Sequence, residues 1–435
     1  MSSPPEITIQ TAIRHPRLRY VLRVVGDCLG YRFRFFNDRS VFGHTETRYL
    51  ITYGESGRHN FPAHPLLSGK PYDFSREGDD FKHSPDGGVT ICQTPEGPDL
   101  LAAIFFCLSR YEEYQDFTPD AYDRFSASES HAYRLGYLDR PVVREWTAAI
   151  GRRLVEWFPD LPAPTTHPFE FRPTYDIDLL WAYHYRGWRG FASGVRDLLS
   201  GHLARGLARF TVKAAEDPYQ TLPFLENLHR EFGLKPTYFW LLSSRLINHD
   251  TNPFPIPPAQ KEWMVRLSRT STTGIHPSYA SNDQPALVEV EKQRLESIIG
   301  RPVSDSRQHF LKLRMPETYR KLLNNGIRSD HTMGYGDAVG WRAGTNLPFP
   351  WYDLDVEKET RLTVHPFAAM DVTLCKYLDL TPPQAEATVQ KLATALEPYG
   401  GPFILLWHNS SFSPAYGWAG WRAMYERLVA YLSAK

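Results

Sequence analysis

Two carboxylates close the stretch Phe171-Arg172-Pro173-Thr174-Tyr175-Asp176-Ile177-Asp178. Alternate side chains of a strand share a face, so Asp176 and Asp178 point one way and Tyr175 and Ile177 the other. Like charges so placed repel unless a divalent cation, an arginine or a shared proton lies among them. Alone, such a pair is more often a solvated strand end than a reaction centre. Further polar residues, however, stand at comparable places. His276 follows Thr272-Thr273-Gly274-Ile275, Arg307 and His309 lie within Ser304–Phe310, Asp330 closes Ile327-Arg328-Ser329, and His408 closes Phe403–Trp407.

These residue types suit hydrolysis assisted by a metal. Such a site needs about three ligands and one open position for water. Zinc takes imidazole nitrogen and carboxylate oxygen and brings bound water to a pKa near ~7. Asp178 and His276 are candidate ligands, Asp176 a candidate base, and His408 a candidate acid for the leaving group. Arg307 and His309 are two apart and therefore read as sharing a face. If Arg307 enters to hold Asp176, His309 enters with it; if both face outward, they are surface residues. A lone histidine beside a strand is more often a packing residue than a ligand, so the set counts and no single member does.

The elements that would position them alternate. Strands are expected at 171–178, 235–242, 272–276, 304–310, 327–330, 362–367 and 403–408. Helices fall between several of them, one carrying Val288, Leu295 and Ile299 up to Gly300, another running from Pro316 to Asn325. A third starts at the capping box Thr381-Pro382-Pro383-Gln384 and carries Val389, Leu392, Ala393 and Leu396. About seven strands separated by helices imply an α/β fold with parallel strands and right-handed crossovers, closed or nearly closed into a barrel. The candidate residues all fall near carboxyl strand ends, where a barrel gathers its reactive side chains.

Before the linker Asp160–Pro168, residues 1–165 read as a smaller α+β unit; residues 166–435 form the barrel. The first unit has a helix over Leu18–Val25, a strand at Arg48–Tyr53, and a central buried helix from Asp99 to Tyr114. The polar stretch Arg124–His131 is expected to face the second unit. The chain has 435 residues, 42% apolar and 23% charged, a globular composition. Lys+Arg and Asp+Glu balance at 49 each, so no global field favours nucleic acid or an anionic membrane. Aromatics at 14% suit sugar faces as well as cores. Cys28, Cys92, Cys107 and Cys375 are scattered and form neither a disulfide framework nor a cysteine metal site. No basic-then-apolar leader and no spanning apolar run are visible, so a cytoplasmic protein is expected.

The stretch from about 170 to 433 resembles the polysaccharide deacetylase superfamily, carbohydrate esterase family 4. That family's T-F-D-D motif is similar to Thr174-Tyr175-Asp176-Ile177-Asp178, with one residue between the aspartates. Its H-[ST]-x-x-H motif is met at His276-Pro277-Ser278-Tyr279-Ala280 for the first histidine only. Arg307-Gln308-His309 meets its R-x-P in part, Leu406-Trp407-His408 matches L-x-H, and Asp330 stands at the strand of a motif that is otherwise poorly met. The chain as a whole is similar to a divergent bacterial subgroup with an extra amino-terminal domain. The resemblance implies a distorted (β/α) barrel and a divalent-metal deacetylase of acetylated sugars. It implies Asp176 as base and Asp178 and His276 as ligands, and His309 is the preferred third. Arg307 would steady Asp176, Asp330 would orient His408, and the Tyr279 backbone N–H would serve the oxyanion. The expected ion is Zn2+ and the expected partner an acetylated glycan, with no nucleic acid and no membrane span. The first alternative is an inactive glycan-binding or scaffold protein retaining the barrel. A glycosidase ranks below it, because two carboxylates on one strand face cannot flank a scissile bond.

Overall fold

The computed structural model describes residues 3–36, 48–71, 82–83, 88–244 and 249–435. The first sheet has β1 (Glu6–Gln10), β2 (Arg32–Phe35), β3 (Leu50–Tyr53) and β4 (Asn60–Phe61), all parallel in the order β2-β1-β3-β4. Helix α1 (Pro16–Leu29) connects β1 to β2. Proline at its first turn and His15 at its N-cap start it, and Gly30, at φ 77, ends it by returning its N–H to the Gly26 carbonyl. Leu18, Val21, Leu22 and Val25 form its buried stripe, as their spacing requires.

The apolar helix α2 (Leu100–Ser109) is capped by the Asp99 carboxylate, which accepts from the Ala102 N–H at 3.0 Å. It is the buried centre of this half, as expected, but it stops short of Tyr114. Arg110 turns left-handed (φ 53), and Tyr111–Tyr114 form a separate 3-10 turn. The turn serves a buried charge. Arg110 Nε and Arg342 Nε both donate to Glu113 Oε1, at 2.7 and 2.8 Å, and Arg342 Nη2 donates to Glu113 Oε2 at 2.6 Å.

The second sheet has nine strands: β5 (Phe169–Ile177), β6 (Thr237–Trp240), β7 (Thr272–Ile275), β8 (Asp305–Ser306), β9 (Ser329–Asp330), β10 (Phe349–Asp353), β11 (Lys358–Val364), β12 (Ala369–Met370) and β13 (Gly401–His408). Their order is β10-β11-β9-β8-β7-β6-β5-β13-β12, parallel throughout except β10 against β11. All seven expected strands are present. The hairpin partner β10 and the short β12 were not expected; β10 lacks a helix before its partner, so the alternating pattern did not reveal it.

Among the described residues the end strands β10 and β12 are not paired, so strand pairing does not close a barrel. The sheet nevertheless curls. The Phe367 N–H reaches the Met333 carbonyl, just beyond β9, at 3.2 Å, while the Ala368 N–H reaches Ile404 in β13 at 2.9 Å. One short segment thus bridges strands far apart in the sheet order.

The halves share a continuous buried core. Helices α1 and α2 pack on the antiparallel edge of the second sheet. There Tyr20 donates to the Pro350 carbonyl at 2.8 Å and Arg17 pairs with Glu357 at 2.5 Å. Glu113 is the most consequential member of this seam, because removing it leaves the buried Arg342 guanidinium without its carboxylate and Arg110 with Glu112 alone. Glu113→Gln is expected to destabilise the protein by about 3–5 kcal/mol, read as a lower urea midpoint; an unchanged midpoint would contradict the pairing.

Candidate metal centre

The alternation proposed for β5 holds. Tyr175 points into the helix layer, its hydroxyl 2.8 Å from His229 Nε2 and 2.7 Å from the Tyr425 hydroxyl. Asp176 points the other way, buried at the carboxyl end of the curled sheet, and Asp178 follows just past the strand. Flat strands two places apart lie about 9.6 Å from each other. Yet His276 Nε2, beyond β7, is 3.3 Å from Asp178 Oδ1 and 3.6 Å from Asp176 Oδ2. Curling of the sheet and the reach of the imidazole close that gap.

His309 arrives by a different route from the one its spacing suggested. Strand β8 is only two residues long, and His309 opens a 3-10 turn in which Phe310 (φ 61) and Leu311 (φ 54) are left-handed. Arg307 and His309 both enter the site, through a turn rather than through strand alternation. His309 Nε2 lies 3.7 Å from Asp178 Oδ1. One ligand atom from each of Asp178, His276 and His309 lies within 4.8 Å of the others. Tetrahedral ligands at zinc bond lengths of about 2.0–2.1 Å stand about 3.4 Å apart.

The hydrogen bonds behind the imidazoles decide what faces inward. A carbonyl only accepts, so His276 Nδ1, 2.6 Å from the Arg307 carbonyl oxygen, carries a proton. His309 Nδ1 likewise donates to Asp250 Oδ1 at 3.0 Å. In their neutral forms both Nε2 atoms therefore turn lone pairs toward Asp178 Oδ1, itself a buried acceptor with no hydrogen-bond partner. Acceptors facing acceptors need a proton or a cation between them. Without a cation, a proton on His309 takes that place. Burial works against charge on His309, but Asp178 and Asp250 outweigh it and push that imidazole up to about 9. Burial also opposes ionisation of Asp178, and His309, His276 and His408 more than offset it, holding the carboxyl well below its usual range. The donor set of one carboxylate and two histidines fits a zinc-type ion.

Arg307 lies at the centre of the polar network and is fully buried. Its Nη1 donates to Asp176 Oδ1 at 3.0 Å, Nη2 to the Thr174 hydroxyl at 2.8 Å, and Nε to the His331 carbonyl at 2.9 Å. Its guanidinium stacks 4.6 Å from the centre of the Phe239 ring. Gly274 makes that possible, since a Cβ there would fall 2.6 Å from the same ring.

Two assignments are corrected. Asp330 does not orient His408; its Oδ2 accepts from the hydroxyls of Ser306 and Thr332, each at 2.9 Å, and its charge bears on Arg307 from behind. The orienting carboxylate is buried Asp371, which accepts from His408 Nδ1 at 2.8 Å and from the His408 N–H at 2.7 Å. Nor is the Tyr279 N–H available to an oxyanion. It donates to Asp250 Oδ1 at 2.8 Å, and the Ala280 N–H donates to Oδ2 at 3.0 Å. Asp250 and Asp371 are the members of this polar network that sequence reasoning missed. Asp371 had a signal, since Ala368-Ala369-Met370-Asp371 repeats an apolar run closed by a carboxylate. Asp250 sits in a polar loop with no periodicity to mark it.

The amino-terminal half reaches this centre through the stretch expected to face it. Arg124 Nη1 donates to the Phe310 carbonyl and Nη2 to the Tyr377 hydroxyl, both at 3.1 Å. The Tyr122 ring packs against Phe310 at 5.1 Å between centres.

Comparisons with known proteins divide along the chain. A family described as "Family of unknown function (DUF7033)" matches residues 7–159. No curated protein matches the sequence. Among solved structures, one described as a proposed polysaccharide deacetylase from Mycobacterium smegmatis is similar at 16% identity and a TM-score of 0.40, covering 62% of this chain and 88% of its own. The polysaccharide deacetylase of Bacillus cereus is similar at 10% identity and TM-score 0.30, with 60% and 87% covered. A mutant of a CE4 family pseudoenzyme with restored activity is similar at 9% and 0.27, with 62% and 64% covered. At these identities and scores the likeness assigns no residue a role.

Two outcomes are expected of the centre. Asp250→Asn should weaken zinc binding about 10–100-fold, because it removes the carboxylate that orients a ligand imidazole; competition with a chromophoric chelator measures it. In the metal-free protein an ion must displace the proton of His309, whose raised pKa is about 9. Zinc affinity should therefore climb about tenfold per pH unit from pH 6 and level off near pH 9, and calorimetry at pH 7 should register proton release.

Proposed function

We propose that this chain is a metal-dependent hydrolase that removes acetyl groups from an N- or O-acetylated sugar or polysaccharide. The supporting observation is the unsatisfied Asp178 Oδ1 facing the Nε2 atoms of His276 and His309. Asp178, His276 and His309 would hold the ion, Zn2+ by the chemistry of the donors. When bound, it supplies Lewis acidity toward an acetyl carbonyl and toward water.

The remaining roles belong to side chains in place. Asp176 is the base, its Oδ1 tied down by Arg307 and its Oδ2 directed to the ligand side of the site. His408 is its register partner on the neighbouring strand. Burial disfavours charge on that imidazole, but Asp371 first, with Asp178 and Asp176, outweighs it and raises the group to about 10 in the metal-free protein. A protonated imidazole held by a carboxylate suits donation to a departing amine or alkoxide. On this reading the proposed base and acid are paired across two neighbouring strands. We assign residues 1–165 as a distinct unit whose Tyr122–Arg124 segment supports the His309 turn.

Asp176→Asn should lower kcat on acetylated oligosaccharides about 10²–10⁴-fold and leave zinc stoichiometric by elemental analysis. Unchanged turnover would remove Asp176 from the role. A wild-type protein that purifies without metal and still binds glycan would be the non-catalytic scaffold instead.

A further inference from the structure

Directly beyond Asp178 the chain builds a helical hairpin outside the candidate centre: α3 (Gly187–Leu199) and α4 (Leu203–Thr211). The two helices meet through glycines. A Cβ on Gly194 would lie 2.5 Å from the Phe210 ring, and one on Gly206 would lie 2.6 Å from Leu198. Asp197 closes the pair by accepting from Arg209 Nε at 2.7 Å. The base is fixed as well. The Asp217 carboxylate accepts the N–H groups of Ala182 and Tyr183, at 2.7 and 2.9 Å, and Trp181 Nε1 donates to the Ala214 carbonyl at 3.1 Å.

Large apolar side chains lie open on the outer surface of this hairpin. Leu199 is 84% exposed and Phe191 65%, with Leu203, Leu207 and Phe210 also open to solvent. Leu203, Leu207 and Phe210 recur at i, i+4 and i+7, so they share one face of α4. Over residues 186–213 the basic residues Arg186, Arg189, Arg196, Arg205, Arg209 and Lys213 stand against the single acid Asp197, a net charge of +5 in a chain of formal net charge +0. The balance of the whole chain conceals this local excess.

We infer that the 187–211 hairpin docks the protein on the surface of an anionic lipid bilayer. Short amphipathic helices with leucine and phenylalanine on one side and arginine around them lie in the headgroup–acyl boundary rather than crossing it. Both are shorter than the ~20 residues that spanning requires, and no described helix is long and apolar enough to cross a membrane. A second copy of the chain fits the face poorly, since a two-fold contact would oppose two surfaces of the same positive charge. Because the hairpin leaves the strand end that carries Asp178, docking would hold the candidate centre beside the lipid headgroups. Joined to the hydrolase reading, on which this last step rests, the substrate is a glycan presented at a membrane.

The test is cosedimentation of the full chain with vesicles of phosphatidylcholine, with and without phosphatidylglycerol. Binding to the anionic vesicles that weakens several-fold at high salt is expected. Leu203→Glu with Leu207→Glu should weaken it at least ~10-fold with circular dichroism unchanged, and Arg196→Gln with Lys213→Gln should flatten the salt dependence. Failure of the wild-type chain to bind anionic vesicles, equal binding by the leucine variant, or a dimer that the leucine variant dissolves would overturn the inference. The assay reads docking alone, so its failure leaves the hydrolase proposal standing, and an inactive enzyme leaves the docking standing.

Discussion

A guanidinium removed from water is tolerated only when its donors are matched, because the desolvation cost runs to several kcal/mol per ion. Arg307 meets that requirement in a way that organises everything around it. Its side chain holds the Asp176 carboxylate and the Thr174 hydroxyl, and its carbonyl oxygen sets the tautomer of His276. One residue therefore orients both the proposed base and a proposed ligand. The stacking of its planar head on Phe239, over the gap left by Gly274, makes the position unsuited to lysine, which is a point charge on a flexible stem.

The proposed ligand histidines show the same logic one step outward. Each has its Nδ1 occupied by an acceptor, leaving Nε2 to face Asp178. The acceptor behind His309, Asp250, is itself gripped by the N–H groups of Tyr279 and Ala280 on the loop that follows His276. The two imidazoles are thus coupled through a shared loop, so displacing one disturbs the other.

Much of this was legible in the sequence because strand ends have a readable form, an apolar run closed by a polar residue. That form located Asp176, Asp178, His276 and His408, and all seven strands expected for the second half are present. It failed where pairing rather than alternation decides structure. The β10–β11 hairpin is invisible to a search for strands separated by helices, and β8 is too short for its periodicity to fix where Arg307 and His309 point. Asp330 was placed by its strand end alone, and the structure turns it to Ser306 and Thr332 behind the site. Overall charge is silent in a similar way, since a balanced total says nothing about how basic residues gather along 186–213.

The seam between the halves bears on modularity. A shorter chain beginning at the second sheet would inherit Arg342 buried without Glu113 and a β10–β11 edge stripped of α1 and α2. It would also inherit a left-handed turn at Phe310 whose carbonyl had lost Arg124. Such a fragment would not be a free-standing part, because its architecture presupposes the surface supplied by the first hundred and fifty or so residues.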